Sequence, residues 1–204
     1  MTIHLHHGDL PDGLSFGSSV AVDSEAMGLR FHRDALTVVQ LSAGDGDAHV
    51  VQLSRPDYDT PNLKRLLADP SVEKIFHYGR FDIGMFAIHL GVTTGPVYCT
   101  KIASKLARTY TDRHGLKDVT KELLGIDISK AQQSSDWGAP TLSPEQLAYA
   151  ASDVLNLHAL KAKLDVMLAR EGRTELARAA FDFLPTRALL DVAGWDEVDI
   201  FAHG

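Results

Sequence analysis

Three short stretches carry the residue types that could do chemistry. In SSVAVDSEAMGL, residues 18–29, Asp23 and Glu25 sit two apart at the end of a run of strand formers. Side chains two apart on a strand share a face, so both carboxylates point the same way. Buried together they repel, and each resists losing its water, so something positive must neutralise them. The run holds no Lys or Arg. Hard divalent cations, which prefer oxygen ligands, are one solution. A strand end that reaches solvent is the other. In HYGRFDIGMF, residues 77–86, Asp82 lies near the start of a helix. The macrodipole favours an acid there without further function, while Phe81, Ile83, Met85 and Phe86 suit a buried position. In LAYAASDVLNLHAL, residues 147–160, Tyr149 and Asp153 stand four apart on a helix and share a face. A ligand at the edge of the core and a tyrosine laid over a hydrated aspartate both fit.

The elements that would position these residues are legible in outline. Residues 2–6, 19–24, 36–41 and 48–53 read as strands, with the turn SAGDGD joining the last two as a hairpin. TPNLKRLLADP predicts a helix with Thr60 as N-cap, Pro61 in the first position and Pro70 past the end. EKIFHY is a fourth main strand, and RFDIGMFAIHLG a helix closed by Gly91. From residue 99 the pattern is mostly helical, with helices over 100–109, 115–124, 143–169 and 173–183 and loops at 110–114 and 125–142. Strands first, then alternation, then helices predict a mixed sheet covered by helices. No repeat, low-complexity tract or long linker divides the chain, so one domain over residues 1–204 is expected.

Taken together, D-x-E on a strand, Asp opening a helix and Y-x-x-x-D on a later helix resemble the motifs of the DEDD exonucleases. The tyrosine places the resemblance in the DEDDy subgroup. The stretches YCTKIASKLAR, HGLKDVTKELLGIDISKAQQSSDW and LSPEQLAYAASDV are similar to the middle of ribonuclease D, with coverage from about residue 18 to 165. The short chain, DSEAMGL and the ending GWDEVDIFAHG resemble the nanoRNase C group, which lacks helical accessory (HRDC) domains. The resemblance implies an α/β, ribonuclease H-like fold and 3′–5′ exonuclease activity on very short RNA, dinucleotides included, releasing nucleoside 5′-monophosphates. Trimming of longer RNA 3′ ends, action on DNA, and a non-catalytic nucleic-acid-binding module stand as alternatives.

On that resemblance Asp23, Glu25, Asp82 and Asp153 are ligands of two Mg²⁺ or Mn²⁺ ions, and Tyr149 stands beside the attacking water. Two such ions clamp an in-line phosphoryl displacement. A tyrosine with an ordinary pKa near 10 orients that water more readily than it acts as a base. Leu29 matches the residue that wedges between the bases of a dinucleotide, and Met27 lies beside it. His77, Lys130 and Gln133 are candidate substrate contacts, the last two in a polar loop with Gln132, Ser134, Ser135 and Trp137. One departure is plain: ribonuclease D has His-Asn-Ala where this chain has His77-Tyr78-Gly79. The group also assembles as an octameric ring, which makes Trp195, Ile200 and Phe201 candidates for a subunit interface.

Charge and composition set bounds. The net charge is −7, which argues against a broad basic surface for long nucleic acid but not against a local site neutralised by metal. Residues 101–130 hold seven Lys/Arg against four Asp/Glu; their i,i+4 pairs also suit a solvated helix face. One cysteine, Cys99, excludes an intrachain disulfide or a cysteine zinc site and reads as a small buried residue. HLHH at residues 4–7 places His4 and His6 on one strand face and gives little support to a metal role. Neither a secretory leader nor an apolar run of membrane-spanning length is evident, so a cytoplasmic protein without membrane contact is expected.

Overall fold

The computed structural model describes residues 2–129 and 131–203. Its elements are β1 (Ile3–His7), β2 (Ser19–Ala26), β3 (Leu36–Ser42), β4 (Ala48–Gln52), α1 (Pro61–Ala68), β5 (Glu73–Phe76), α2 (Arg80–Met85), β6 (Val97–Cys99), α3 (Thr100–Ala107), α4 (Leu116–Leu124), α5 (Pro144–Leu155), α6 (Leu157–Arg170) and α7 (Thr174–Leu190). Helix α2 runs on as a π turn over Phe86–Leu90, and α7 as another over Asp191–Trp195. The strands form one mixed sheet in the order β1-β4-β3-β2-β5-β6. This is the sheet with flanking helices expected of the α/β pattern.

Strand β2 matters most for function, and it lies inside the sheet. It pairs antiparallel with β3 and parallel with β5. Its Val20, Ala21 and Val22 are fully buried, as are Leu36, Val38, Val39 and Leu41 of β3. Asp23 stands opposite Gln40 and Glu25 opposite Val38, and the register slips between Glu25 and Ala26. Such bulges re-aim side chains and are frequent beside active sites. Helix α5 lies against β2, β3 and β4. It starts at a capping box in which Ser143 Oγ accepts from the Gln146 amide while Gln146 Oε1 accepts from the Ser143 amide.

Several expectations are corrected. Thr60 does not cap α1 with its side chain. Its hydroxyl donates to Asp9 instead (2.7 Å), and the Asp9 carboxylate accepts from the amides of Asn62 and Leu63. A distant carboxylate satisfies orphan donors better than the adjacent hydroxyl because its charge also suits the positive helix end. The strand predicted from EKIFHY ends at Phe76. The three residues of β6 were not foreseen, because so short a run carries no period; pairing with β5 recruits them. The predicted helix over 143–169 is two helices that break at Asn156. Helix α7 extends past residue 183 and through Pro185, because Ala177, Phe181, Leu184 and Ala188 are buried along it and packing outweighs local propensity. Within the 101–130 stretch Arg108 is fully buried, not solvated: it pairs with Glu122 and donates to the Arg113 carbonyl. Cys99 is buried as expected. His4 and His6 do share a face, where both stack on His49.

Candidate active site

The fold gathers the predicted acids. Asp23 and Glu25 come from β2, Asp153 from α5, and an oxygen of each lies within 4.8 Å of the others. Asp82, in the first turn of α2, is only 4 % exposed, and its charge acts on both Asp23 and Glu25. The Ser24 hydroxyl donates to Asp82 Oδ1 at 2.6 Å, and Gln40 Nε2 donates to Asp23 Oδ2 at 2.6 Å. Neither Ser24 nor Gln40 was singled out in the sequence; each is recognisable only from the register of β2 and β3.

Electrostatics set this cluster apart from a hydrated strand end. Burial, then the charges of Asp82, Asp153 and Glu25, push the Asp23 carboxyl well above the usual carboxylate range, against the pull of Gln40. Burial, then Asp153 and Asp82, push Glu25 up to about 9. Burial raises Asp82 to about 6 although Ser24 opposes it. Among the described residues, no Lys or Arg forms an ion pair with Asp23, Glu25 or Asp82. The converging carboxylates present oxygen donors, which suit a hard divalent cation.

Tyr149 lies one turn before Asp153 on α5. Burial, the charges of Asp153, Glu25 and Asp23, and a hydrogen bond with Asp153 push its phenol upward. The phenol therefore stays protonated, able to donate a hydrogen bond and unsuited to take a proton. Its ring packs on Trp137, with centroids 5.9 Å apart. Trp137 is 3 % exposed, so it supports Tyr149 and offers no free face to a base.

A cleft of about 500 Å³ opens beside the acids. Asp23 and Asp82 line it together with Leu29, His77, Gln133 and Tyr78. Leu29 is 81 % exposed, as a wedge would be. His77 is anchored by Nδ1 to the Thr100 hydroxyl at 2.8 Å. Met27 does not line this cleft; it packs on Gly138, where an added Cβ would lie 2.4 Å from its sulfur. Lys130 falls outside the described residues. Arg80, Asp191 and Asp196 also line the cleft. Arg80 donates to the Asp191 carboxylate through Nε and, at 2.6 Å, through Nη2, and Arg187 bonds the same carboxylate. The sequence gives no local signal for Asp191, which lies far along the chain from the acids it borders.

Comparison with known proteins agrees with this geometry. Residues 10–169 match the 3′–5′ exonuclease family. Ribonuclease D of Acidiphilium cryptum is 37 % identical over 166 residues, 81 % of this chain and 42 % of that protein. The chain thus spans about two fifths of the length of the ribonuclease D proteins it matches. Brucella melitensis NrnC bound to pGG is 56 % identical, with a TM-score of 0.97 and complete coverage of both chains. The same protein with bound Mg²⁺ is 56 % identical, with a TM-score of 0.96 and complete coverage. The mixed sheet and its helices are therefore those of the ribonuclease D-like nucleases, as the pattern of acids implied.

Proposed function

The chain belongs to the 3′–5′ exonuclease family, and from that membership we propose that it hydrolyses very short RNA, dinucleotides included, from the 3′ end to nucleoside 5′-monophosphates. The observation that carries this reading is the grouping of Asp23, Glu25 and Asp153 within 4.8 Å at a cleft from which Leu29 projects. The likeness to NrnC bound to pGG supports a dinucleotide over a long strand. Net charge −7 supports it too, since long nucleic acid gains most of its affinity from many phosphate contacts.

Asp23, Glu25, Asp82 and Asp153 would hold two divalent ions, Mg²⁺ or Mn²⁺. Bound there, such ions neutralise the acids, activate water and stabilise charge on the departing oxygen. The residues themselves have distinct tasks. Gln40 orients Asp23, and Ser24 orients Asp82. Tyr149, kept protonated, orients the attacking water by donating or accepting a hydrogen bond and does not remove its proton. Leu29 separates neighbouring bases, and Gln133 contacts the substrate from the facing loop.

The wider proposals follow from the same reading. Residues 1–204 act as one domain, supported by a core that α7 shares with the sheet. The chain works in the cytoplasm; no helix among the described residues is long and apolar enough to cross a membrane. It assembles with its own copies, up to a ring of eight, supported by the exposed Trp195, Ile200 and Phe201.

The test uses 5′-labelled RNAs and DNAs of two to ten nucleotides with Mg²⁺, Mn²⁺ or EDTA, comparing the native chain with Asp153→Asn. Rapid loss of dinucleotides, abolished by EDTA and reduced at least about a thousandfold by the substitution, is expected. Turnover that survives both rejects the mechanism. Equal rates at every length favour the ribonuclease D-type alternative, which the 37 % identity supports. Faster loss of DNA reassigns the substrate.

A further inference from the structure

Trp137 is a buried indole without a polar anchor. Its Nε1–H meets no hydrogen-bond acceptor among the described residues, although a buried indole nitrogen usually finds one. The ring lies in an apolar cluster with Val38, Val50, Leu142 and Ala150 and packs against Tyr149. Apolar burial is non-directional, so the placement of the ring is left to the backbone that carries it.

That backbone is held from two sides. Gln146 of α5 donates through Nε2 to the Asp136 carbonyl at 3.0 Å. From the other side Arg55 Nη2 donates to the Gly138 carbonyl at 3.2 Å. Gln52, the last residue of β4, donates through Nε2 to the carbonyls of Ala139 at 2.9 Å and Pro140 at 3.3 Å. The loop is thus clasped immediately before and after Trp137. The Gln52 Oε1 atom has no partner among the described residues, so the amide serves this loop alone.

The sheet register shows why Gln52 can reach it. Gln52 pairs with Val38, and Val38 with Glu25. Directly paired residues share a face, so the three side chains form a row across β4, β3 and β2. The clasp stands at one end of the row and a predicted metal ligand at the other. Val38, in the middle, belongs to the cluster that holds Trp137 and Tyr149.

We propose that Gln52 is a positioning residue for hydrolysis: by holding the backbone at 139–140 it fixes Trp137 against Tyr149, and so sets where the phenol meets the attacking water. This rests on the reading of Tyr149 as the group that orients that water.

The experiment measures dinucleotide turnover with Mn²⁺ in the native chain, Gln52→Met, Tyr149→Phe and their double variant. Gln52→Met keeps the length of the side chain and removes both donors. Tyr98→Phe is the control, because it loses one hydrogen bond, 2.9 Å to Asp165, on the strand at the opposite edge of the sheet. Gln52→Met is expected to lower kcat about tenfold with KM within about twofold of the native value. In the Tyr149→Phe background the same change is expected to add less than about twofold. Tyr98→Phe is expected to keep the native kcat, although Tm falls by about 2–4 °C in both single variants. A second readout needs no turnover. Labelling the two tryptophans with 5-fluorotryptophan gives two fluorine resonances, of which the one missing in Trp137→Phe belongs to Trp137. It is expected to shift or split in Gln52→Met and to stay in place in Tyr98→Phe. An unchanged kcat in Gln52→Met overturns the proposal, as does an unmoved Trp137 resonance, a full tenfold loss repeated without the Tyr149 hydroxyl, or an equal loss in Tyr98→Phe. Each of these leaves the role of Tyr149 intact. A native kcat in Tyr149→Phe overturns that role and the proposal together.

Discussion

Ser24 and Asp82 are joined by a hydrogen bond of 2.6 Å between the β2 strand and the first turn of α2. The hydroxyl opposes the upward pull of burial on Asp82, which settles at about 6. Ser24→Ala removes that donor, so the folded carboxyl holds its proton to higher pH. A hydrogen bond to a charged group contributes about 1.5–3 kcal/mol, equivalent to about one to two pH units. The acidic limb of the pH–rate profile is expected to move up by about one unit at limiting metal, with the alkaline side unchanged. An unmoved limb would show that Asp82 is not the group ionising there.

The raised acids also make metal-free stability depend on pH. Glu25 moves from an ordinary 4.5 to about 9 in the fold, so between those values the folded chain binds more protons than the unfolded one. Stability therefore falls as pH rises through that window. A divalent cation that binds the ionised acids reverses the loss. Thermal denaturation with EDTA and with Mn²⁺ is expected to show a larger gain in Tm at pH 8.5 than at pH 5. A gain that shrinks with rising pH would contradict the buried cluster.

Asp191 accepts from Arg80 and forms an ion pair with Arg187 at 3.2 Å, and its side chain is only 4 % exposed. Asp191→Ala removes the carboxylate shared by two partly exposed arginines, which keep the Asp196 and Trp195 carbonyls as acceptors, a change expected to cost roughly 1–3 kcal/mol. Urea denaturation measures it. Since Arg80 opens the helix that carries Asp82, dinucleotide turnover should fall as well. A loss below about 1 kcal/mol would place the bridge among ordinary surface pairs.

Gly28 lies between Met27 and Leu29, the proposed wedge. A Cβ there would meet Asp34 Oδ2 at 2.2 Å and Cγ at 2.7 Å, and that carboxylate is held by the Arg30 amide and the Arg33 side chain. Gly28→Ala is expected to destabilise by about 1–3 kcal/mol and to raise KM for dinucleotides as Leu29 shifts. Calorimetry and steady-state kinetics test the two effects separately.

Alternation brought Asp23 and Glu25 to one face and the i,i+4 spacing did the same for Tyr149 and Asp153, but only the resemblance to the DEDD exonucleases joined them with Asp82 as one set of ligands. What joins the two elements is tertiary and leaves no local mark. Gln40 and Ser24 look like ordinary strand residues until the register β2–β3 and the approach of α2 are known. Tyr78 was visible as a departure, whereas its left-handed backbone, φ +72°, left no mark in the sequence. Trp137 lies in a polar loop with no periodic signal, and its burial under Tyr149 shows only in the fold. The end of α7 was misplaced because Pro185 is a local stop signal that burial of Leu184 and Ala188 overrides.

The family match stops at residue 169, but the interior does not. Phe181 of α7 lies against Tyr98 of β6 with ring centroids 4.5 Å apart, and the turn after α7 grips Arg80 at the threshold of the acidic cluster. An expression fragment trimmed to that boundary would bare an oily flank on β6 and release the helix that carries Asp82 from its anchor. Such a fragment should precipitate or stay inert, so anyone cutting this enzyme down must keep the last helix and its turn.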